Sequence, residues 1–235
     1  MSAEKPIVEL ELYIIRHGQS VGNVGYGREN ITIKEGADPI LTEKGENQAD
    51  LLGKYLKNVD FDAVYSSALI RAVSTANGIL RYQENGKKLN ILPYLTEAGL
   101  NPEYKGLTME EIREICPTAV LADGVDPEGS ILCYNEYNDE DGMYAIAEDT
   151  MNYFIEKYKN GEKIAVVSHA AYMTYLIFRI MGFTKSPVFD IDINNTGITK
   201  VNFFKKGTNK YGDITFTYIN STTHLEISSE DYLTK

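Results

Sequence analysis

The feature that most constrains this chain is an alternation. Short apolar, β-branched runs take turns with longer stretches whose apolar residues recur every three to four positions. Val8 to Ile15 is such a run and stops at Gly18. Phe61 to Tyr65, Leu89 to Leu92 (closed by Pro93) and Lys163 to Ser168 repeat the pattern, and Phe189 to Phe204 and Ile214 to Tyr218 read as further strands. Between them, Thr42 can N-cap a helix with Ala49, Leu52, Tyr55 and Leu56 on one face. Leu69, Ala72, Val73, Ala76, Ile79 and Leu80 mark a second helix. Thr108-Met109-Glu110-Glu111 is a capping box for a short helix that ends before Pro117. Met143 through Tyr158 and Ala170 to Met181 predict two more. Strands alternating with helices call for right-handed βαβ units around a mostly parallel sheet. Without an internal repeat or a linker, residues 1–235 are expected to form one domain.

Charge narrows the partners. With 23 Lys+Arg against 34 Asp+Glu the net charge is −11, which disfavours nucleic acid and anionic lipid surfaces. An anionic ligand then needs a local cluster of positive groups working against the overall field. The first residues carry acids and Pro6 rather than a basic segment followed by an apolar run, and the apolar window Ala170 to Phe183 is too short to span a bilayer. Cys116 and Cys133 make no disulfide framework, so a cytosolic protein with reduced thiols and no membrane association is expected. The oligomeric state is left open.

In open α/β sheets, ligands bind beyond the carboxyl ends of the strands. Ile14-Ile15-Arg16-His17-Gly18 ends the first strand and Val166-Val167-Ser168-His169 ends a later one. Tyr65-Ser66-Ser67 leads into Arg71 in the first turn of a helix, and a further strand end leads to Glu97. Each histidine alone reads as an ordinary turn residue; together, four strand ends offer two His, two Arg and one Glu to one crevice. Arginine forks match phosphate oxygens, a neutral imidazole is a competent nucleophile at phosphorus, and a shielded carboxyl can protonate a leaving oxygen. No metal-ligand spacing and no cofactor motif is present in the sequence. The inventory suits phosphoryl transfer through a phosphohistidine.

Arg16-His17-Gly18-Gln19-Ser20 with Asn23 resembles the signature of the histidine phosphatase superfamily, in its phosphoglycerate mutase-like branch. Leu41-Thr42-Glu43-Lys44-Gly45, Tyr65-Ser66-Ser67 through Arg71 to Thr75-Ala76, then Glu97 and Val167-Ser168-His169 follow in the same order, so the resemblance spans roughly residues 7 to 205. It implies a three-layer α/β/α sandwich with a mostly parallel central sheet. It also implies a phosphoric monoester hydrolase acting on a small-molecule phosphate ester without a cofactor. His17 would be the phosphorylated nucleophile and Glu97 the proton donor, with Glu103 the nearest competitor. Arg16, Arg71 and His169 would hold the phosphoryl oxygens, helped by Gly18, Asn23 and a backbone N–H at Ala170. His224 matches nothing in the pattern and is expected on the surface.

The sequence departs from the family at several points. Gly22 replaces a common aromatic residue, Ala170-Ala171 replaces two glycines, and Tyr104-Lys105-Gly106 stands for Trp-Glu-Gly. Ala98-Gly99-Leu100-Asn101 stands where glycolytic mutases have Arg-His-Tyr-Gly, which weighs against a phosphoglycerate mutase-type phosphomutase. Leu121 to Gly142 has no period and contains seven acids without a base, and is expected to cover the site and disfavour multiply charged substrates. Tyr134, Tyr137 and Tyr144 would give that cover an aromatic wall. Two rivals stay open beside the mutase. Gly18-Gln19-Ser20-Val21-Gly22 fits a serine-hydrolase elbow, though after the first strand nothing upstream could build an oxyanion hole. A non-catalytic phosphate- or phosphoprotein-binding module would keep the arginines without turnover.

Overall fold

The structure, a computed structural model, describes residues 5–25, 31–83, 86–132 and 139–225. Seven strands form one sheet: β1 (Val8–Arg16), β2 (Ala63–Ser66), β3 (Leu89–Ile91), β4 (Ala119–Leu121), β5 (Glu162–Ser168), β6 (Ile198–Phe204) and β7 (Ile214–Ser221). Their order is β4-β3-β2-β5-β1-β6-β7. The first five strands pair in parallel, and β6 and β7 add an antiparallel edge beside β1. The helices are α1 (Val21–Val24), α2 (Ile33–Ala37), α3 (Glu43–Leu56), α4 (Ile70–Leu80), α5 (Met109–Ile115), α6 (Glu140–Lys157) and α7 (Ala170–Ile180), with a 3₁₀ turn at Pro93–Leu95.

The alternation of side chains along the central strands builds the three layers. On β1, Tyr13 and Ile15 face a core with Leu52 and Leu56 of α3, Val73 and Ile79 of α4 and Ile112 of α5. Leu10, Leu12 and Ile14 face the opposite core, with Met143, Ile146 and Phe154 of α6 and Met173 and Leu176 of α7. Burial on both faces explains why β1 and β5 read as nearly continuous apolar runs. Thr42 caps α3 by accepting the Gly45 N–H at 3.0 Å, and Thr108 and Glu111 form the expected capping box on α5.

Three expectations are corrected. The segment from Phe189 pairs with no strand, and the strand begins only at Ile198. The ladder with β1 stops at Ile15–Ile198, and the Gly197 N–H turns back onto the Asn194 carbonyl at 2.9 Å. β4 was not foreseen, because three residues carry no readable period. His224 is buried rather than on the surface, with its Nε2 2.9 Å from Thr196 Oγ1 and its ring 5.7 Å from that of Tyr55. Cys133, Tyr134, Glu136 and Tyr137 of the expected cover, and Ser228 to Lys235, which were expected to fray, lie outside the described residues. Among the described residues no helix is long and apolar enough to cross a membrane.

The three buried histidines have a consequence for stability. Burial holds His17 and His169 well below the ordinary imidazole value and lowers His224 to about 4. As pH falls through the unfolded value of about 6.5, the unfolded chain takes up protons that the folded chain refuses, so stability falls until each folded pKa is reached. For His224 alone that span is worth about 3 kcal/mol, at about 1.4 kcal/mol per pKa unit. Urea unfolding at pH 7.5 and pH 5 is expected to show a clearly lower midpoint at pH 5. Equal midpoints would mean that the raised carboxyls of Asp38 and Glu97, which favour the folded state as pH falls, cancel the imidazoles.

Candidate active site

Strand order assembles the site. β2, β5 and β1 are neighbours, so their carboxyl ends bring Ser67, His169 and His17 together. The ends are stitched by main-chain bonds: His17 N–H to Ser168 O at 3.0 Å and Ser67 N–H to Val167 O at 3.2 Å. The loop after β3 is tied in by Ser168 Oγ, which donates to Leu95 O at 2.7 Å and fixes the approach to Glu97.

His17 is buried, with Nδ1 2.6 Å from the Gly18 carbonyl. That contact puts the ring proton on Nδ1 and leaves a lone pair on Nε2, which in this structure accepts from Arg71 Nε at 3.3 Å. Burial, then Arg71 and Arg16, keep the imidazole neutral to well below its usual pKa. The His169 ring lies 5.1 Å from that of His17, and its Nε2 is 2.7 Å from Ser67 Oγ. Ser67 Oγ already accepts from the Leu69 N–H at 3.4 Å, which favours its own proton pointing to His169 Nε2. The His169 proton then sits on Nδ1, facing no partner.

Arg16 and Arg71 are both buried. Arg71 is held by Asp38 at 3.4 Å and by the Ala37 carbonyl at 3.3 Å, and Tyr104 donates to the other Asp38 oxygen at 2.8 Å. Arg16 donates to the Ile193 carbonyl at 2.6 Å, and its Nε is buried without a partner. Burial lowers the pKa of both guanidiniums, the expected sign of cations that lack enough counter-charge. Glu97 Oε1 accepts from the N–H groups of Ala98 at 2.9 Å and Tyr172 at 3.0 Å. Burial nevertheless raises its pKa, against the opposing pull of the Tyr172 N–H, Arg71, the Ala98 N–H and Arg16. Glu103 is exposed, its backbone N–H bonded to Asn101, and it stands apart from this set.

Two expected phosphate ligands are engaged elsewhere. The Gly18 N–H donates to Thr75 Oγ1 at 3.0 Å, so it is not a free phosphate donor. Gly18 is needed for close approach instead, since a Cβ there would meet the Gly45 carbonyl oxygen at 2.6 Å. Asn23 is exposed, and its Oδ1 accepts from Ser20 N and Ser20 Oγ at the start of α1. Only its amide nitrogen is left for a ligand. Ala170 is the first residue of α7, whose N-cap His169 makes no side-chain cap bond, so its N–H stays at the helix N-terminus where anions are favoured. Ser20, the serine of the elbow reading, donates to Asn23 and not to a histidine. Ser67, Asp38, Tyr104 and Asn195 were not singled out from the sequence. Asn195 donates to the His17 carbonyl at 3.1 Å. Ser67 and Tyr104 lie inside the motifs Tyr65-Ser66-Ser67 and Tyr104-Lys105-Gly106, while Asp38 and Asn195 carry no local signal. Among the described residues no three His, Cys, Asp or Glu side chains cluster as a metal site.

Fold and crevice define an α/β protein with paired histidines and buried arginines brought together at the carboxyl ends of its central strands. Residues 12–211 match the family model of the histidine phosphatase superfamily (branch 1), and the chain belongs to that superfamily. A fructose-2,6-bisphosphatase TIGAR from Xenopus laevis is 34% identical over 46% of this chain and 38% of its own length. A 2,3-bisphosphoglycerate-dependent phosphoglycerate mutase from Methylobacterium radiotolerans is 30% identical over 83% of this chain and 89% of its own. The chain thus spans well under half of the first relative and most of the second. A phosphoserine phosphatase from Entamoeba histolytica, solved with 3-phosphoglyceric acid, superposes with a TM-score of 0.59 at 24% identity, covering 92% of this chain and 99% of that one. It shares the fold, with the three-layer arrangement and mostly parallel sheet described above.

Proposed function

We propose that the chain is a metal-independent phosphatase that hydrolyses small phosphate monoesters through phosphohistidine at His17. The observation that carries this reading is the set of unfilled donors around His17. Among the described residues Arg16 Nε and His169 Nδ1 are buried without a hydrogen-bond partner, beside the Arg71 guanidinium that Asp38 holds. Buried donors and cations in that state call for an anion. In the first step His17 Nε2 attacks phosphorus; the N–P bond forms, the P–O bond to the leaving group breaks, and Glu97 gives its proton to the departing oxygen. In the second, water attacks phosphorus, Glu97 takes a water proton, and the N–P bond breaks to release phosphate. Arg16, Arg71, His169 and the Ala170 N–H hold the equatorial oxygens as charge develops.

Hydrolysis is favoured over a phosphomutase by Ala98-Gly99-Leu100-Asn101 after the acid, which supplies no cation for a second anionic group. A cover over 121–142 remains part of the proposal, with a weaker charge filter than the bare count of acids suggests. Asp123 pairs with Lys157 at 2.7 Å, Asp126 accepts from Glu128 N, Asp139 caps α6 and Glu140 accepts from Ser186 N. Of these, only Asp123 is offset by a paired cation; Asp126, Asp139 and Glu140 keep their negative charge and stay part of the filter. Purified protein is expected to hydrolyse p-nitrophenyl phosphate at an unchanged rate in excess EDTA. Phosphoglycerate isomerisation primed with bisphosphate should stay slower than hydrolysis. Activity lost to the chelator, or isomerisation outrunning hydrolysis, would overturn the reading. Saturable phosphate binding without turnover would support a binding module.

A further inference from the structure

Two non-glycine residues among those described have a left-handed backbone: Thr196 at φ 54° and Asn220 at φ 53°. For a β-branched residue this is a strained conformation that persists only where the surroundings over-determine it. Both residues belong to one assembly behind Arg16 and His17.

The turn from Asp192 to Gly197 grips the end of β1 through the Arg16 N–H and guanidinium and the carbonyls of Arg16 and His17. Arg16 N–H donates to the Gly197 carbonyl at 3.2 Å, and its guanidinium donates to the Ile193 carbonyl at 2.6 Å. The Thr196 N–H is shared between the carbonyls of Arg16 at 3.1 Å and His17 at 3.2 Å. Asn195 Nδ2 adds a second donor to the His17 carbonyl at 3.1 Å. The turn is in turn gripped by the end of the chain. A register shift between β6 and β7 re-aims Asn220. Its Oδ1 accepts from Asn194 N at 2.9 Å and its Nδ2 donates to the Asp192 carbonyl at 2.7 Å. Gly197 leaves the room, because a Cβ there would run into Asn220 Oδ1. Past β7, Leu225 is buried and His224 comes back under the turn. The Thr196 hydroxyl donates to the Asn195 carbonyl at 2.8 Å, so its lone pair accepts from His224 Nε2 at 2.9 Å.

We propose that Asn220 and His224 are positioning residues: they clamp the 192–197 turn and thereby hold Arg16 and His17 in register at the phosphate site. Their side-chain hydrogen bonds go to Asn194, Asp192 and Thr196 and not to a side chain of the site. They act through Asn194, Thr196 and the two carbonyls of the Arg16–His17 segment. The kinetic part of the proposal rests on the hydrolase reading, so the test has a second readout that needs no turnover.

Three variants carry the test. His224→Leu removes the donor but keeps an apolar side chain, His224→Gln restores an N–H at similar reach, and Asn220→Asp sets an oxygen against the Asp192 carbonyl. Steady-state hydrolysis of p-nitrophenyl phosphate is measured together with the ring-nitrogen NMR signals of His17, with and without inorganic phosphate. In His224→Leu and Asn220→Asp, kcat should fall about tenfold or more, as expected for misplacement of a site by a fraction of an ångström. The loss should fall mainly on kcat rather than KM, since a loosened grip costs most in the transition state. The His17 signals should shift, and His224→Gln should recover most of both readouts. Wild-type kcat and unshifted His17 signals in both disrupting variants would overturn the clamp, as would equal losses in His224→Leu and His224→Gln. If His224→Leu does not fold, Asn220→Asp and His224→Gln decide. If the wild type hydrolyses no ester yet the His17 signals still move in the variants, the hydrolase reading fails and the clamp stands.

Discussion

Replacing His17 with alanine is expected to remove hydrolysis of phosphate esters, by about 10⁴-fold or more, the scale on which loss of a covalent nucleophile is felt. The other candidate nucleophiles at this crowded site are already engaged. His17 Nε2 is the ring nitrogen whose lone pair faces Arg71, because Nδ1 is tied to the Gly18 carbonyl at 2.6 Å. His169 Nε2 is taken by Ser67 at 2.7 Å, and the Ser20 hydroxyl by Asn23 at 3.0 Å. Burial and the two guanidiniums keep His17 unprotonated, so the nucleophile needs no prior deprotonation by a base. Acid-stable trapping would not see the intermediate, since a phosphoramidate is labile in acid. The check is therefore rapid alkaline quench after incubation with ³²P-labelled substrate: label on the wild type and none on His17→Ala. A variant that keeps a wild-type rate, or label that persists on it, would sink the mechanism.

What the sequence reveals here and what it hides divide by the range of the interaction. Arg16 and His17 were legible because they stand at the end of β1, whose apolar run can be read locally. His169 was legible for the same reason at the end of β5. For Gly18 and Asn23 the motif gives the position but not the bonds that the backbone N–H and the side-chain oxygen make. The Gly18 N–H goes to Thr75, 57 positions away, and the Asn23 carbonyl oxygen closes a local cap on α1. Asp38, at the end of α2, joins Tyr104 of the loop before α5 to Arg71 in the first turn of α4, and no periodicity points to such a contact. His224 sits after Ser221-Thr222-Thr223, a polar run that looks solvated. Its burial comes from Tyr55 on α3 and from Thr196, partners that only the tertiary fold supplies. Phe189 to Ile193 mixes apolar and acidic residues as a half-buried strand would, yet it forms none. The turn that follows is committed to Arg16 and His17 instead.

Glu97→Gln should separate the two chemical steps and depend strongly on the leaving group. Oε1 of Glu97 is occupied by the N–H groups of Ala98 and Tyr172, so the proton it donates is carried on Oε2. Burial raises the pKa, so the protonated form outlasts that of an ordinary carboxyl as pH rises and is lost only above the usual range. The lowered pKa of His17 works at the other limb: its neutral form persists as pH falls below about 6.5. The kcat/KM profile should thus be a bell, with an acid limb below the ordinary imidazole range and an alkaline limb above the ordinary carboxyl range. Glutamine keeps the hydrogen bond to either N–H group but can neither give nor take the proton. Alkyl phosphates, whose alkoxide cannot leave unprotonated, should lose about 10²–10⁴-fold, and the alkaline limb should disappear. With p-nitrophenyl phosphate the leaving group departs as a stable anion, so the first step should survive while attack of water on the phosphoenzyme slows. The signature is a burst of about one equivalent of nitrophenolate followed by slow turnover. Glu103→Gln should change neither. A Glu97→Gln enzyme with the wild-type profile on alkyl phosphates, or the same burst produced by Glu103→Gln, would reassign the proton donor.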